Sequence, residues 1–144
     1  MATATTDRNQ VTTTVGSALA AAAAAPGGSP ALVTGEGRST FADLWEASGR
    51  LATALLARGL APGDRVTTSL PNGIEWVTTA FALARIGVVN VLANPRYRPA
   101  ELDWLVENSG SALLVGGPDW DPDQWRAWAA TPADPAALAA REAL

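Results

Sequence analysis

Lysine, histidine and cysteine are all missing from this chain, which removes the Schiff-base amine, the imidazole base and the thiol nucleophile in one stroke. The ten cationic residues are all arginines: Arg8, Arg38, Arg50, Arg58, Arg65, Arg85, Arg96, Arg98, Arg126 and Arg141. Two of them flank an aromatic ring in Asn94-Pro95-Arg96-Tyr97-Arg98-Pro99, where paired guanidinium groups could meet a phosphate or carboxylate. A solvated loop is the simpler reading. Asp119, Asp121 and Asp123 alternate in a manner that could suit a hard cation, but Pro122 interrupts them and the glycine and glutamate of a calcium loop do not follow. A solvated acidic turn is favoured. Gly27-Gly28 and Gly116-Gly117 lack the spacing and the lysine of a phosphate-binding loop and read as turns.

Any such groups must be carried by one compact domain, since 144 residues suffice for a single core. Hydrophobic residues at 48% and charged residues at 17% describe a globular chain. A net charge of −4 gives no cationic footprint for nucleic acid. Without cysteine there is no disulfide framework, and without His or Cys the usual soft metal ligands are missing. The alanine run from Ala18 to Ala25 has the small residues of a leader cleavage site. It lacks the basic start and strongly apolar stretch that a secretory signal needs, so a helix is favoured. No stretch reaches the roughly 20 apolar residues of a membrane span. A cytoplasmic protein is the expectation.

The elements that must position these residues follow from periodicity and punctuation. Residues 1–13 are polar and are expected to be mobile. Ser17 to Ala25 should form a short helix stopped by Pro26-Gly27-Gly28, and Ala31 to Thr34 a strand that turns through Gly35-Glu36-Gly37 into a small hairpin. Thr40 and Asp43 have the spacing of a capping box, after which Leu44, Ser48, Leu51 and Leu55 fall on one helical face, with Ala52 and Leu56 beside them. Gly59 and Pro62-Gly63-Asp64 separate that helix from a strand at Arg65 to Leu70. Asn72 with Glu75 predicts another capped helix with Ile74, Val77, Phe81 and Ala84 inward, ending at Gly87. Val88 to Ala93 suits a central parallel strand covered on both faces. Pro99 should open a third helix with Leu102, Leu105 and Val106 inward, and Ser111 to Val115 is the next strand.

Strand, helix, strand, helix, strand with short links predicts an α/β fold, a partial parallel sheet flanked by helices. The organisation expected is a mobile N-terminus and short helix at 1–30, an α/β part at 31–117, and a Pro/Trp/Asp-rich tail at 118–144 with a turn or two of helix at 123–130 and 135–144. Trp45, Trp76 and Trp104 sit beside the proposed helical stripes and read as core or subdomain contacts. Trp120, Trp125 and Trp128 lie in the tail, where an interaction surface and local collapse are both open. Pro71, Asn72, Asn94, Pro95, Arg96 and Tyr97 follow predicted parallel strands, at the edge where open α/β sheets bind ligands, and are the candidate substrate-cleft residues.

Three segments carry a family resemblance. Thr40-Phe41-Ala42-Asp43-Leu44, then Pro62-Gly63-Asp64-Arg65-Val66 with Leu70-Pro71-Asn72, then Leu83 to Tyr97 with Ile86-Gly87 and Asn94-Pro95 are similar, in order and interval, to the N-terminal portion of AMP-dependent synthetases and ligases. The helix and strand from Thr14 to Val33 also resemble that family's start. The resemblance runs from about Val11 to Val115 and implies the N-terminal subdomain fold of acyl-activating enzymes. It implies a reaction in which ATP activates a carboxylate to an acyl-adenylate and the acyl group passes to a thiol, as in an acyl-coenzyme A synthetase of fatty acid metabolism. It further implies ATP, Mg and coenzyme A for the full-length family and none bound by this chain alone.

The family's phosphate loop and its adenylating lysine, whose task is to stabilise charge on the reacting phosphorus, are not among these 144 residues. The chain is therefore expected to be a truncated N-terminal region, not catalytic alone. The alternatives are one half of a split ligase completed by a second chain, or a non-catalytic binding or regulatory module. The partners expected are the missing C-terminal part or a second copy, because a sheet of so few strands leaves apolar edges open; Ser111 to Val115 is the strand expected to be exposed. Three departures from the family pattern stand out. Arg85 replaces a common lysine at an expected surface position, and Arg98 replaces a threonine cap, which should fray the third helix. Asn94-Pro95, in place of Asp-Pro, inclines the reading toward acyl- or aryl-coenzyme A ligases.

Overall fold

The computed structural model describes residues 14–35 and 37–142. The expected mobile segment 1–13, residue 36 of the hairpin turn and residues 143–144 of the last expected helix lie outside it.

Eleven elements are described: α1 (Val15–Ala24), β1 (Pro30–Thr34), β2 (Gly37–Thr40), α2 (Phe41–Ala57), β3 (Arg65–Ser69), α3 (Ile74–Arg85), β4 (Val89–Leu92), α4 (Pro99–Ser109), β5 (Leu113–Gly116), α5 (Pro122–Ala129) and α6 (Pro135–Glu142). β1 and β2 form an antiparallel hairpin, and β3, β4 and β5 a parallel sheet in the order β4-β3-β5. The α/β class with a partial parallel sheet between helices is what the sequence periodicity predicts.

Local chemistry sets the helix starts. Asp43 N–H donates to Thr40 Oγ1 at 3.1 Å while Thr40 N–H donates to Asp43 Oδ2 at 2.8 Å, so the expected capping box opens α2. Thr14 and Ser17 do the same for α1. The second expected box does not form. α3 starts from an extended Gly73 with no side-chain cap, and Asn72 stays exposed one residue upstream. At the start of α4 Arg98 supplies no side-chain cap, as expected, while Glu101 accepts from the Arg98 N–H at 2.8 Å and from its guanidinium at 3.4 Å.

Leu51, Ala52 and Leu55 of α2 pack with Leu83 and Ile86 from the end of α3 against Val66 and Val115 on one face of the sheet. Leu44 and Ser48 are buried on the same stripe of α2, as expected. In α3 the buried side chains are Thr78, Thr79, Ala82, Leu83 and Arg85, whereas Ile74, Val77, Phe81 and Ala84 are only half-buried, so the expected stripe lies one position off. Thr79 Oγ1 donates to the Glu75 carbonyl oxygen at 2.7 Å and accepts from Trp125 Nε1 of α5, so its hydroxyl is satisfied within the core.

One further expectation is overturned. β4 is an edge strand with Val89 and Leu92 exposed, and β3 is the central one; an apolar run of this length does not distinguish the two positions. Of the two readings open for the tail tryptophans, collapse holds for Trp125 and Trp128, because α5 packs on α2 and brings both into the main core. Trp125 Nε1 donates to Thr79 Oγ1 at 2.9 Å, and the Arg58 guanidinium lies 4.3 Å from the Trp128 ring centroid. Trp120 meets Trp128 edge-on at 5.8 Å. The interaction-surface reading of Trp125 and Trp128 is thereby replaced by a packing role.

Candidate functional site

The carboxyl ends of β3, β4 and β5 meet along one edge. The register pairs Thr68 with Leu92 and with Val115, so the segments that leave the strands, Leu70 to Asn72, Ala93 to Tyr97 and Gly116-Gly117, emerge side by side. Ala93 N–H donates to the Thr68 carbonyl oxygen at 2.9 Å, Ser69 Oγ to that of Asn94 at 3.5 Å, and Gly117 N–H to that of Ser69 at 3.2 Å. Gly116 has φ +99°, and a Cβ there would collide with Ser69 O, so the β5 exit approaches β3 at a distance that only glycine permits.

Asn94 organises the longest of these loops. Its Oδ1 accepts from the Arg96 N–H at 2.9 Å and its carbonyl oxygen from the Tyr97 N–H at 3.0 Å, closing a turn over Pro95. An aspartate would accept the same hydrogen bonds, so the turn does not distinguish the ligase branches that Asn94 was expected to separate. Pro71, Asn72, Asn94, Pro95, Arg96 and Tyr97 are all exposed on this edge. Arg98 is engaged with Glu101, whose carboxyl is held below the ordinary carboxylate range first by the Arg98 backbone N–H and then by its side chain. The arginine pair around Tyr97 therefore presents Arg96 with Arg98 already ion-paired.

Other residues singled out by the sequence lie elsewhere. Asp121 Oδ1 accepts from the Asp123 N–H at 2.9 Å and caps α5, while Asp123 pairs with Arg126. Among the described residues no group of three potential metal-ligating side chains gathers. Trp76 packs on the core and Trp45 is half-buried, but Trp104 is 62% exposed, contrary to the core reading.

Arg85, expected at the surface, is buried at 5% exposure beneath α2. One of its nitrogens donates to Trp45 O at 2.8 Å and to Ser48 Oγ at 3.3 Å, and its guanidinium stacks on the Trp45 ring. Sequence reasoning missed this group. The available signal was Gly49, whose missing side chain makes room for Arg85 Nη1. Arg85 lines a cleft of about 510 Å³ between α2 and α6, away from the strand ends.

Among the described residues no helix is long and apolar enough to cross a membrane.

Comparison with known proteins places this geometry. Residues 19–143 match the family described as AMP-binding enzyme. Pyochelin synthase PchD of Pseudomonas aeruginosa is 47% identical over 99 residues, covering 69% of this chain and 18% of that protein. The salicyl-AMP ligase / salicyl-S-ArCP synthetase of Mycobacterium tuberculosis is 40% identical over 81 residues, covering 56% of this chain and 14% of that protein. The chain thus spans less than a fifth of the length of either relative. The N-terminal subdomain of Klebsiella oxytoca NpsA, solved with anthranilyl-AMSN, superposes with a TM-score of 0.73 over 84% of this chain and 33% of that one; at 20% identity this shows the fold. A sheet ordered β4-β3-β5 between helices, the capped start of α2 and the loops at the strand ends are the N-terminal α/β part of that fold, and the chain belongs to the AMP-binding enzyme family.

Proposed function

We propose that these residues supply the N-terminal portion of an adenylate-forming ligase, an enzyme that activates a carboxylic acid with ATP and passes the acyl group to a thiol. The observation that carries this reading is the family match over residues 19–143, on a chain whose strand ends bring Pro71 and Asn72 together with Asn94 to Tyr97. Those six residues form the wall of the cleft that this part contributes. The charge-stabilising groups for phosphoryl chemistry belong to the remainder of the enzyme, in the same chain or in a second one. ATP with Mg supplies the adenylyl group and releases pyrophosphate, and the thiol of coenzyme A or of a carrier then accepts the acyl group and releases AMP. The relative named as a salicyl-AMP ligase favours an aryl acid over a fatty acid. An ATP-dependent reaction fits a cytoplasmic setting.

The test is a hybrid in which this chain's matching segment replaces the corresponding 81 residues of the Mycobacterium tuberculosis relative. Salicylate-dependent ATP–pyrophosphate exchange should stay within about tenfold of the parent, and the chain by itself should give no exchange above a protein-free blank. A folded hybrid whose exchange falls by more than about a thousandfold overturns the proposal.

A further inference from the structure

We propose that Asn72-Gly73 is a site of spontaneous covalent modification, at which the Asn72 amide is converted through a cyclic imide to aspartate and isoaspartate. The reaction requires the Gly73 nitrogen to reach Asn72 Cγ, and the local structure leaves that approach open. Asn72 is exposed in the loop between β3 and α3, and neither its side chain nor the Gly73 N–H makes a hydrogen bond among the described residues. Gly73 carries no side chain to obstruct the ring closure, and nothing else lies within 4 Å of where one would be.

The bonds balance with water and hydroxide alone. The Gly73 N–H gives its proton to hydroxide and the nitrogen attacks Asn72 Cγ; the new Cγ–N bond closes the ring, the Cγ–Nδ2 bond breaks, and the departing group takes a proton from water and leaves as ammonia. Water then opens the ring. Attack at Cγ restores the ordinary main chain with an aspartate at this position, whereas attack at the main-chain carbonyl carbon leaves an isoaspartate, whose main chain runs through Cγ and is one methylene longer. α3 starts at this point without a side-chain cap, and a helix N-terminus favours both the negative charge that develops on the Gly73 nitrogen and the carboxylate that results. Either product adds one negative charge to the edge where the strand-end loops emerge.

The other asparagines lack this combination. Asn90 is held in β4, where its Oδ1 accepts from Thr68 Oγ1 at 2.7 Å and the branched Val91 follows it. Asn94 precedes Pro95, which has no N–H to give up, and its Oδ1 is occupied by the Arg96 N–H at 2.9 Å. Asn108 lies within α4, whose backbone is fixed by the helical hydrogen-bond ladder. Asn9 lies outside the described residues and is followed by Gln10, not by glycine. Sequence and conformation together single out Asn72.

Warm incubation of the full 144-residue chain at mildly alkaline pH, followed by tryptic mapping, tests the proposal. The peptide 66–85, which contains no other asparagine and no glutamine, should gain one mass unit and separate into isoaspartate and aspartate forms, while Asn90, Asn94 and Asn108 stay unchanged. The rate should rise with pH, since the attacking nitrogen must lose its proton. Gly73→Ala should slow the gain at least about tenfold. That variant should fold, because Gly73 is in extended backbone that any residue adopts, with open space around the added methyl group. A peptide 66–85 that stays unmodified overturns the proposal, as does modification seen only in chain unfolded by urea. Aspartate without isoaspartate, a rate indifferent to pH, or a folded Gly73→Ala variant that reacts as fast as wild type would each mark direct hydrolysis in place of ring closure and overturn it as well. The product ratio and the pH dependence are read on the wild-type chain, so they decide the matter even if the variant does not fold.

Discussion

The guanidinium carbon of Arg85 lies 3.4 Å from the centroid of the Trp45 ring, while one of its nitrogens donates to the Trp45 carbonyl oxygen at 2.8 Å. One residue at the end of α3 thus engages both the ring and the backbone of a residue in α2. Lysine, a point charge on a flexible stem, cannot stack and donate in the same geometry. Arg85→Lys is expected to destabilise the fold by about 1–2 kcal/mol, read as a shift in the urea midpoint at constant m-value. An unchanged midpoint would mean that the buried guanidinium contributes only its charge.

Trp125 joins the tail to α3 through the 2.9 Å hydrogen bond from Nε1 to Thr79 Oγ1. Trp125→Phe keeps most of the apolar volume and loses that bond, at an expected cost of about 1 kcal/mol. Trp125→Ala also opens a cavity and should cost about 3–5 kcal/mol. The order Phe above Ala in thermal midpoint, with loss of α5 amide protection in the alanine variant, would establish that α5 is part of the domain. A loose tail would show neither effect.

Acid should weaken the starts of α2 and α4. The Asp43 carboxyl is held below its ordinary value by the Thr40 backbone N–H and then by the Thr40 hydroxyl, and Glu101 is lowered by Arg98 in the same way. A carboxyl depressed in the folded state adds stability that is present above its unfolded pKa and is lost as pH falls through the folded one. The thermal midpoint should therefore drop below about pH 4, the ordinary range for these groups. Asp43→Asn and Glu101→Gln should each flatten that acid limb and lower the plateau at neutral pH. A parallel acid limb in both variants would assign the drop to other carboxyls.

Glycine substitutions at two strand junctions should differ in severity. At Gly116 a methyl group meets the Ser69 backbone and the φ of +99° is unfavourable as well, so Gly116→Ala should cost more than about 2 kcal/mol. At Gly87, with φ +70°, a Cβ would lie 3.1 Å from the Pro62 Cβ, and Gly87→Val should cost more than about 1 kcal/mol. Equilibrium unfolding of the two variants beside wild type checks the ranking. Equal stability of Gly116→Ala and wild type would contradict the close approach of β5 to β3.

Much was legible from the residues alone because it depends on neighbours three or four positions apart. The Thr40–Asp43 box, the buried Leu44, Ser48, Leu51 and Leu55 stripe of α2 and the strand-helix alternation from Arg65 to Val115 are properties of local backbone chemistry and helical period. The candidate edge residues were legible for the same reason, since a loop after a parallel strand emerges at the carboxyl end of the sheet whatever the strand order.

Tertiary packing decided the rest. Strand order made β3 central and β4 an exposed edge, although β4 is the more apolar run of the two, because hydrogen-bond partners in a sheet are chosen across the chain and not along it. Arg85 became a core residue only because Gly49 on another helix leaves space for it and Trp45 supplies a ring to lie on. Trp125 and Trp128 turned from tail aromatics into core residues once α5 folded back over α2, where burying two large rings outweighs ordering a short helix. Burial is a sum over elements that meet in space, and a local pattern specifies the elements without specifying which of them meet.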